Sequence, residues 1–99
     1  MYSYDFHIKA QKEYEASLKW YMVRSIKAAE GFISAVEETL GLICDNPARW
    51  RNEYKNLQEL GVKKYPFIVI YIVEYELKHV LILSVFHAKR NPFQRYNRS

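Results

Sequence analysis

Four apolar residues alternate with polar ones at the start of the chain. Tyr2, Tyr4, Phe6 and Ile8 are separated by Ser3, Asp5 and His7, with Lys9 following. A period of two is that of a strand with one buried face, so the chain is predicted to open with a short strand. From about Gln11 to Arg24 the period lengthens. Ala10, Tyr14, Leu18 and Tyr21 recur every three to four residues, while Lys12, Glu13, Glu15 and Lys19 take the other side of an amphipathic helix. Ser25 then reads as the N-cap of a second helix. Its stripe is Ala29, Phe32, Ile33, Val36, Leu40 and Ile43, with Glu30, Glu37 and Glu38 facing water and Asn46-Pro47 ending it. So short a junction favours an antiparallel helical hairpin.

Past Pro47 the pattern fades into a polar stretch, ARWRNEYKN, expected to be irregular. A strand follows around Gln58 to Lys64, and then KYPFIVIYIVEY, rich in β-branched and aromatic residues. Glu76, Leu77 and Lys78 turn the chain into a last strand, HVLILSVFH. The predicted fold is α+β, with an N-terminal strand, a two-helix antiparallel hairpin and an antiparallel three-stranded meander, all in a single domain over residues 1–99.

The final hairpin is apolar on both faces. Strict alternation sets Phe67, Val69, Tyr71 and Val73 against Ile68, Ile70 and Ile72, and Leu81, Leu83 and Val85 against Val80, Ile82 and Phe86. Strands of this kind need cover on both sides. One helical hairpin covers one face, leaving the second to loops, to the 48–56 stretch or to another chain.

Composition narrows the chemistry. The single cysteine, Cys44, excludes an intramolecular disulfide, and the N-terminal residues lack the pattern of a signal peptide, so a cytoplasmic location is expected. The apolar runs Phe67 to Val73 and Val80 to Phe86 fall well short of the roughly 20 residues of a membrane-spanning helix. His7, His79, His87 and Cys44 have none of the short spacings of a metal site. Gly31, Gly41 and Gly61 stand singly and make no phosphate loop, so neither metal nor cofactor is expected. Cys44 reads as core. The pairs Glu37/Glu38 and Glu74/Glu76 read as a solvated helix face and a solvated strand end rather than as acid-base pairs.

Charge placement says more than the net +4. Through Phe86 the eleven Lys and Arg residues equal the eleven Asp and Glu residues, and the whole excess comes from Lys89, Arg90, Arg95 and Arg98. Such a segment draws anionic partners, RNA, DNA or an acidic protein. His87, Lys89, Arg90, Arg95 and Tyr96, with Lys63 and Lys64 nearby, also suit phosphate chemistry. Cleavage of RNA by its own 2′-hydroxyl needs a proton acceptor, cations for the phosphorane and an acid for the leaving oxygen. The plainer alternative is that His87 ends a strand, Tyr96 packs back on the sheet and the arginines are solvated.

Four segments together resemble one family. They are KEYEASLKWY, AAEGFISAVEETLGLICDNPARW, KKYPFIVIYIV and the ending LILSVFHAKRNPFQRYNRS. The most specific are Tyr65-Pro66-Phe67 leading into an apolar strand with a Tyr, and a final apolar strand followed by His-x-x-Arg-x-Pro. In this order and at this length they resemble the RelE/ParE superfamily of toxins of type II toxin-antitoxin systems, often called plasmid stabilisation proteins. The resemblance implies a curved antiparallel sheet backed by a helical hairpin, and a cognate antitoxin lying across it. A RelE-like member would cut mRNA in the ribosome, with Arg90, His87 and Tyr96 as catalytic residues. A ParE-like member would inhibit DNA gyrase and lack that constellation. The His-x-x-Arg-x-Pro ending favours the ParE-like branch. Lys63 and Lys64, standing where an Arg is usual before the Pro-aromatic pair, are a departure from the pattern, and with Lys89, Arg95 and Arg98 they are the expected contacts to target or nucleic acid. A non-toxic binding module of the same fold is the third reading, and a homodimer is left open.

Overall fold

A computed structural model describes residues 1–54 and 56–89. Strand β1 (Ser3–Phe6) leads into helix α1 (Ile8–Arg24), helix α2 (Ile26–Asp45) and a 3-10 turn (Pro47–Arg49). The strands β2 (Arg51–Tyr54), β3 (Leu57–Gly61), β4 (Phe67–Glu74) and β5 (His79–His87) follow, the last two joined through a 3-10 turn at Tyr75–Leu77.

The two helices meet at one residue, as the sequence indicated. Ser25 is extended at φ −165°, which stops α1. Its N–H donates to Tyr21 O (2.8 Å), and its Oγ accepts the Ala28 N–H (3.1 Å) to start α2. One serine therefore caps both helices. Asn46 closes α2, its N–H donating to Leu42 O, and Pro47 prevents further helix.

The described strands form one sheet in the order β1-β5-β4-β3-β2. β2 to β5 make an antiparallel meander, and β1 runs parallel to β5, Ser3 opposite His79 and Phe6 opposite Ile82. The stretch expected to be irregular thus supplies an additional strand, β2. Its lack of apolar alternation follows from its place at the edge of the sheet. The strand expected over 58–64 ends at Gly61. Beyond it the chain turns, with the Val62 N–H donating to Phe67 O (2.8 Å) and Lys64 in the left-handed region at φ 70°.

A bulge in β5 changes which residues share a face. Ile70 pairs with Ser84 but Tyr71 with Ile82, so one residue of β5 is skipped. Val85, opposite Val69, therefore joins Val80 and Ile82 on the helix side, and Phe86, opposite Ile68, lies on the far side. Strict alternation had placed Val85 and Phe86 the other way round.

The core lies between helices and sheet. Phe32 is fully buried and touches the rings of Tyr14, Tyr21, Tyr65 and Phe67 at centroid separations of 5.0 to 5.7 Å. Burying such a side chain stabilises by about 2–3 kcal/mol. Ala10, Val36, Leu40 and Ile43 from the helices pack there against Val69, Tyr71, Val80, Ile82 and Val85. On the far face Ile70 and Phe86 are 2% exposed, while Ile68, Ile72 and Leu81 are half-buried.

A polar network fixes the turn after α2. The Gln58 amide donates to Pro47 O (2.7 Å) and Trp50 O (3.2 Å), and the Tyr71 hydroxyl donates to Pro47 O at 2.8 Å. The backbone of that turn is thus satisfied from the sheet, which lets a polar loop lie against the core.

Candidate functional site

The end of β5 and the turn between β3 and β4 meet at one end of the sheet. His87 stands opposite Phe67, and their rings touch edge to face at 4.9 Å. The Ala88 N–H donates to Pro66 O at 2.9 Å, so the Lys63–Lys64 turn and the exit of β5 are tied together. Lys63, Lys64 and Lys89 are exposed and His87 is half-buried. The structure therefore gathers these four sequence-predicted residues at one end, with the lysines in a turn rather than on a strand. Arg90, Arg95, Tyr96 and Arg98 lie outside the described residues.

His87 has a structural task. Its Nδ1 accepts the Lys89 N–H at 3.3 Å, which directs the chain beyond the strand and leaves the proton of the neutral ring on Nε2. The Phe67 ring and the Lys89 N–H together orient the imidazole at the end of the strand.

The turn is held from the helices. Tyr65 packs its ring on Tyr21 (5.5 Å) and Phe32 (5.7 Å), and its hydroxyl donates to Ala28 O at 3.3 Å. Gly31 makes this possible, because a Cβ there would stand 2.6 Å from the Tyr65 hydroxyl. Lys63 and Lys64 border a hollow of about 280 Å³ together with Ser34 and Glu38 of α2. These contacts also bring the tip of the helical hairpin, with Arg24 and Lys27, to the same end. The sequence reading missed that tip, although Met22, Val23 and Ile26 are apolar residues off the buried stripe, and this was the available signal.

The opposite end carries a different cluster. His79 Nε2 lies 2.8 Å from Asp5 Oδ2 and Nδ1 lies 3.4 Å from Glu74 Oε1, joining β1, β5 and β4. The hydrogen bond with Asp5, helped by Glu74, raises the imidazole above its ordinary range. The two nitrogens point apart, so the carboxylates cannot converge on one ion, and among the described residues no group of metal-ligating side chains gathers. No described helix is long and apolar enough to cross a membrane.

What the arrangement offers is a cationic end, built from three elements, on a sheet backed by two helices. Solved toxin structures share the fold, a sheet backed by two helices. A chain of the chromosomal ParDE system from P. aeruginosa is similar over 88% of this chain and 96% of its own, with a TM-score of 0.62 and 22% identity. The isolated E. coli RelE toxin is similar over 91% and 87%, with a TM-score of 0.64 and 18% identity. A chain of the intact E. coli RelBE toxin-antitoxin complex is similar over 91% and 100%, with a TM-score of 0.63 and 19% identity. No curated protein matches the sequence. The fold is thus that of the RelE/ParE toxins. The family model described as "ParE toxin of type II toxin-antitoxin system, parDE" matches residues 4–92, and the chain belongs to that family.

Proposed function

We propose that this chain, a toxin whose family implies a cognate antitoxin, arrests growth in the ParE manner by inhibiting DNA gyrase, and that it contacts its target through the basic end described above. The observation that carries the choice of branch is the commitment of His87, packed on Phe67 and bonded to the Lys89 N–H. Ring contact with Phe67 and the bond from the Lys89 N–H give His87 a role in ending the strand that needs no proton transfer, whereas RNA cleavage requires an acid-base pair positioned within reach of the 2′-hydroxyl. Binding asks less of the site. Exposed Lys63, Lys64 and Lys89 raise the local concentration of an anionic surface without any proton transfer. The half-buried Ile68, Ile72 and Leu81 suit an antitoxin segment laid across the far face of the sheet.

The test is expression of the chain alone and with the antitoxin encoded beside it. Growth arrest relieved by the antitoxin, with loss of supercoiling by purified gyrase in the presence of the chain, is the expected outcome. Ribosome-dependent mRNA cuts abolished by Arg90→Ala would overturn the gyrase reading, and the absence of arrest at equal soluble expression would overturn the toxin reading itself.

A further inference from the structure

The tip of the helical hairpin exposes large apolar side chains that the core does not use. Trp20, Met22, Val23 and Ile26 are 42%, 50%, 76% and 64% exposed, and they fall within seven consecutive positions around the Ser25 junction. Single exposed apolar residues are ordinary on a protein surface, but a contiguous group is a mark of recognition. The charge nearest them is mainly positive, with Glu30, one turn beyond Ile26, the first acid of α2. From Ala16 to Ala29 the chain holds Lys19, Arg24 and Lys27 and no acid.

Arg24 is set in advance for a partner. Its guanidinium lies 3.7 Å from the centroid of the Trp20 ring, and its Nη1 donates to Trp20 O at 2.9 Å. Stacking and hydrogen bond together hold the fork in one geometry, so little side-chain freedom remains to be lost when the other N–H groups meet an acceptor.

The geometry points to the hairpin tip as a docking surface for an acidic, amphipathic helical segment of a partner protein, its apolar side chains on Met22, Val23 and Ile26 and a carboxylate on Arg24. Three other occupants fit less well. A second copy meeting this face about a two-fold axis would bring Arg24 and Lys27 against like charges. A nucleic acid would meet the cations but would cover Met22, Val23 and Ile26 with phosphate and sugar to no advantage. A membrane surface does not need an arginine fork fixed in place, which suits one carboxylate at one position. The tip lies at the same end as Lys63, Lys64 and His87, because Tyr65 joins that turn to Tyr21 and Ala28. The inference builds on the protein-target reading above, and its test is read on the purified full chain so that the two can fail separately.

The probe is a synthetic helix of about 18 residues, some five turns, with leucines on one face flanked by glutamates. The controls are a scrambled peptide of the same composition, a single-stranded oligouridine, and vesicles of phosphatidylglycerol. Binding is followed by fluorescence anisotropy and by backbone amide shifts. The expected result is that the helix shifts the amides of residues 22–27, and that affinity falls about tenfold in the Val23→Ser/Ile26→Ser double variant, the loss of roughly one anchor contact. Arg24→Gln is expected to weaken binding and to reduce its dependence on salt. Both variants replace exposed side chains, and unchanged thermal melts verify that the fold survives. No binding of the designed helix, equal binding of the scrambled peptide, or shifts at 22–27 from oligouridine or vesicles alone would overturn the proposal. So would concentration-dependent dimerisation that the double variant abolishes. A chain that binds the helix at residues 22–27 but arrests no growth supports the docking surface and overturns the toxin reading.

Discussion

The carboxylate of Glu13 on α1 accepts the N–H of Val85 at 3.2 Å, at the point where β5 is bulged. The same oxygen accepts the Ser84 hydroxyl at 2.8 Å. β1 pairs with β5 only as far as Ile82, after which the chain leaves the sheet to begin α1. The remaining edge of β5 would expose unpaired backbone, and Glu13 takes the place of the missing strand. Glu13→Ala is therefore expected to destabilise by about 2–3 kcal/mol, the cost of stranding a buried hydroxyl and a buried N–H. Glu13→Gln, which retains an acceptor, is expected to lose less than half of that. Urea unfolding monitored by fluorescence measures both, and a Glu13→Ala loss below about 0.5 kcal/mol would show the contact to be energetically idle.

Gly31 and Tyr65 form a second dependent pair. Alanine in a helix interior normally stabilises by about 1 kcal/mol over glycine. Here the new methyl group would meet the Tyr65 hydroxyl at 2.6 Å and displace it from Ala28 O. Gly31→Ala is expected to cost a net 1 kcal/mol or so in the native chain and to become neutral or stabilising beside Tyr65→Phe. A double-mutant cycle by thermal melting decides it. Equal effects in the two backgrounds would mean that the helix absorbs the methyl group in another way.

His79 links stability to pH. Its imidazole is raised above its ordinary value by the hydrogen bond with Asp5 and the nearby Glu74. A folded-state value above the unfolded one means that the contribution is complete below about pH 6.5, the unfolded value, and is lost as pH rises through the folded value. The β1 edge is expected to be better protected from hydrogen exchange at pH 5.5 than at pH 8.5. Asp5→Asn should flatten that difference, and an imidazole titrating at or below its ordinary value in an NMR series would refute the arrangement.

Tyr71 carries a buried hydroxyl, and burial, the largest influence on it, raises its ionisation far above the usual phenolic range. It therefore stays a donor to Pro47 O wherever the protein is folded. Tyr71→Phe is expected to cost about 1 kcal/mol, because Gln58 still serves the same carbonyl. Tyr71→Phe with Gln58→Leu leaves that carbonyl and the one at Trp50 without these donors, and the pair should cost more than the sum of the singles. Chemical denaturation measures each, and strict additivity would show that the two donors act independently.

The elements with strong local signals were legible from the residues alone. Ser25 and the Asn46-Pro47 exit set the limits of α2, because capping and the missing proline N–H act within one turn of chain. The apolar runs of β4 and β5 gave their hairpin, since the residues that pair are near in sequence. The pairing of β1 with β5 was not legible, as it joins Phe6 to Ile82 across the whole chain and leaves no periodic trace. Nor was β2, a polar edge strand specified by its pairing with β3 rather than by a buried face.

The same division applies to the cationic end. Sequence determined that the excess charge lies at the end of the chain, that a Tyr-Pro-Phe turn precedes an apolar strand, and that the whole resembles one family of toxins. Only the tertiary structure decided that Lys63 and Lys64 stand in a turn tied through Pro66 to Ala88, that His87 is held by Phe67 and the Lys89 N–H, and that Val85 rather than Phe86 faces the helices. The physical reason is one of range. Periodicity and capping are local energies that repeat along the chain, whereas a bulge of one residue, a methyl-sized gap at Gly31 and a carboxylate filling a strand edge depend on atoms far apart in sequence.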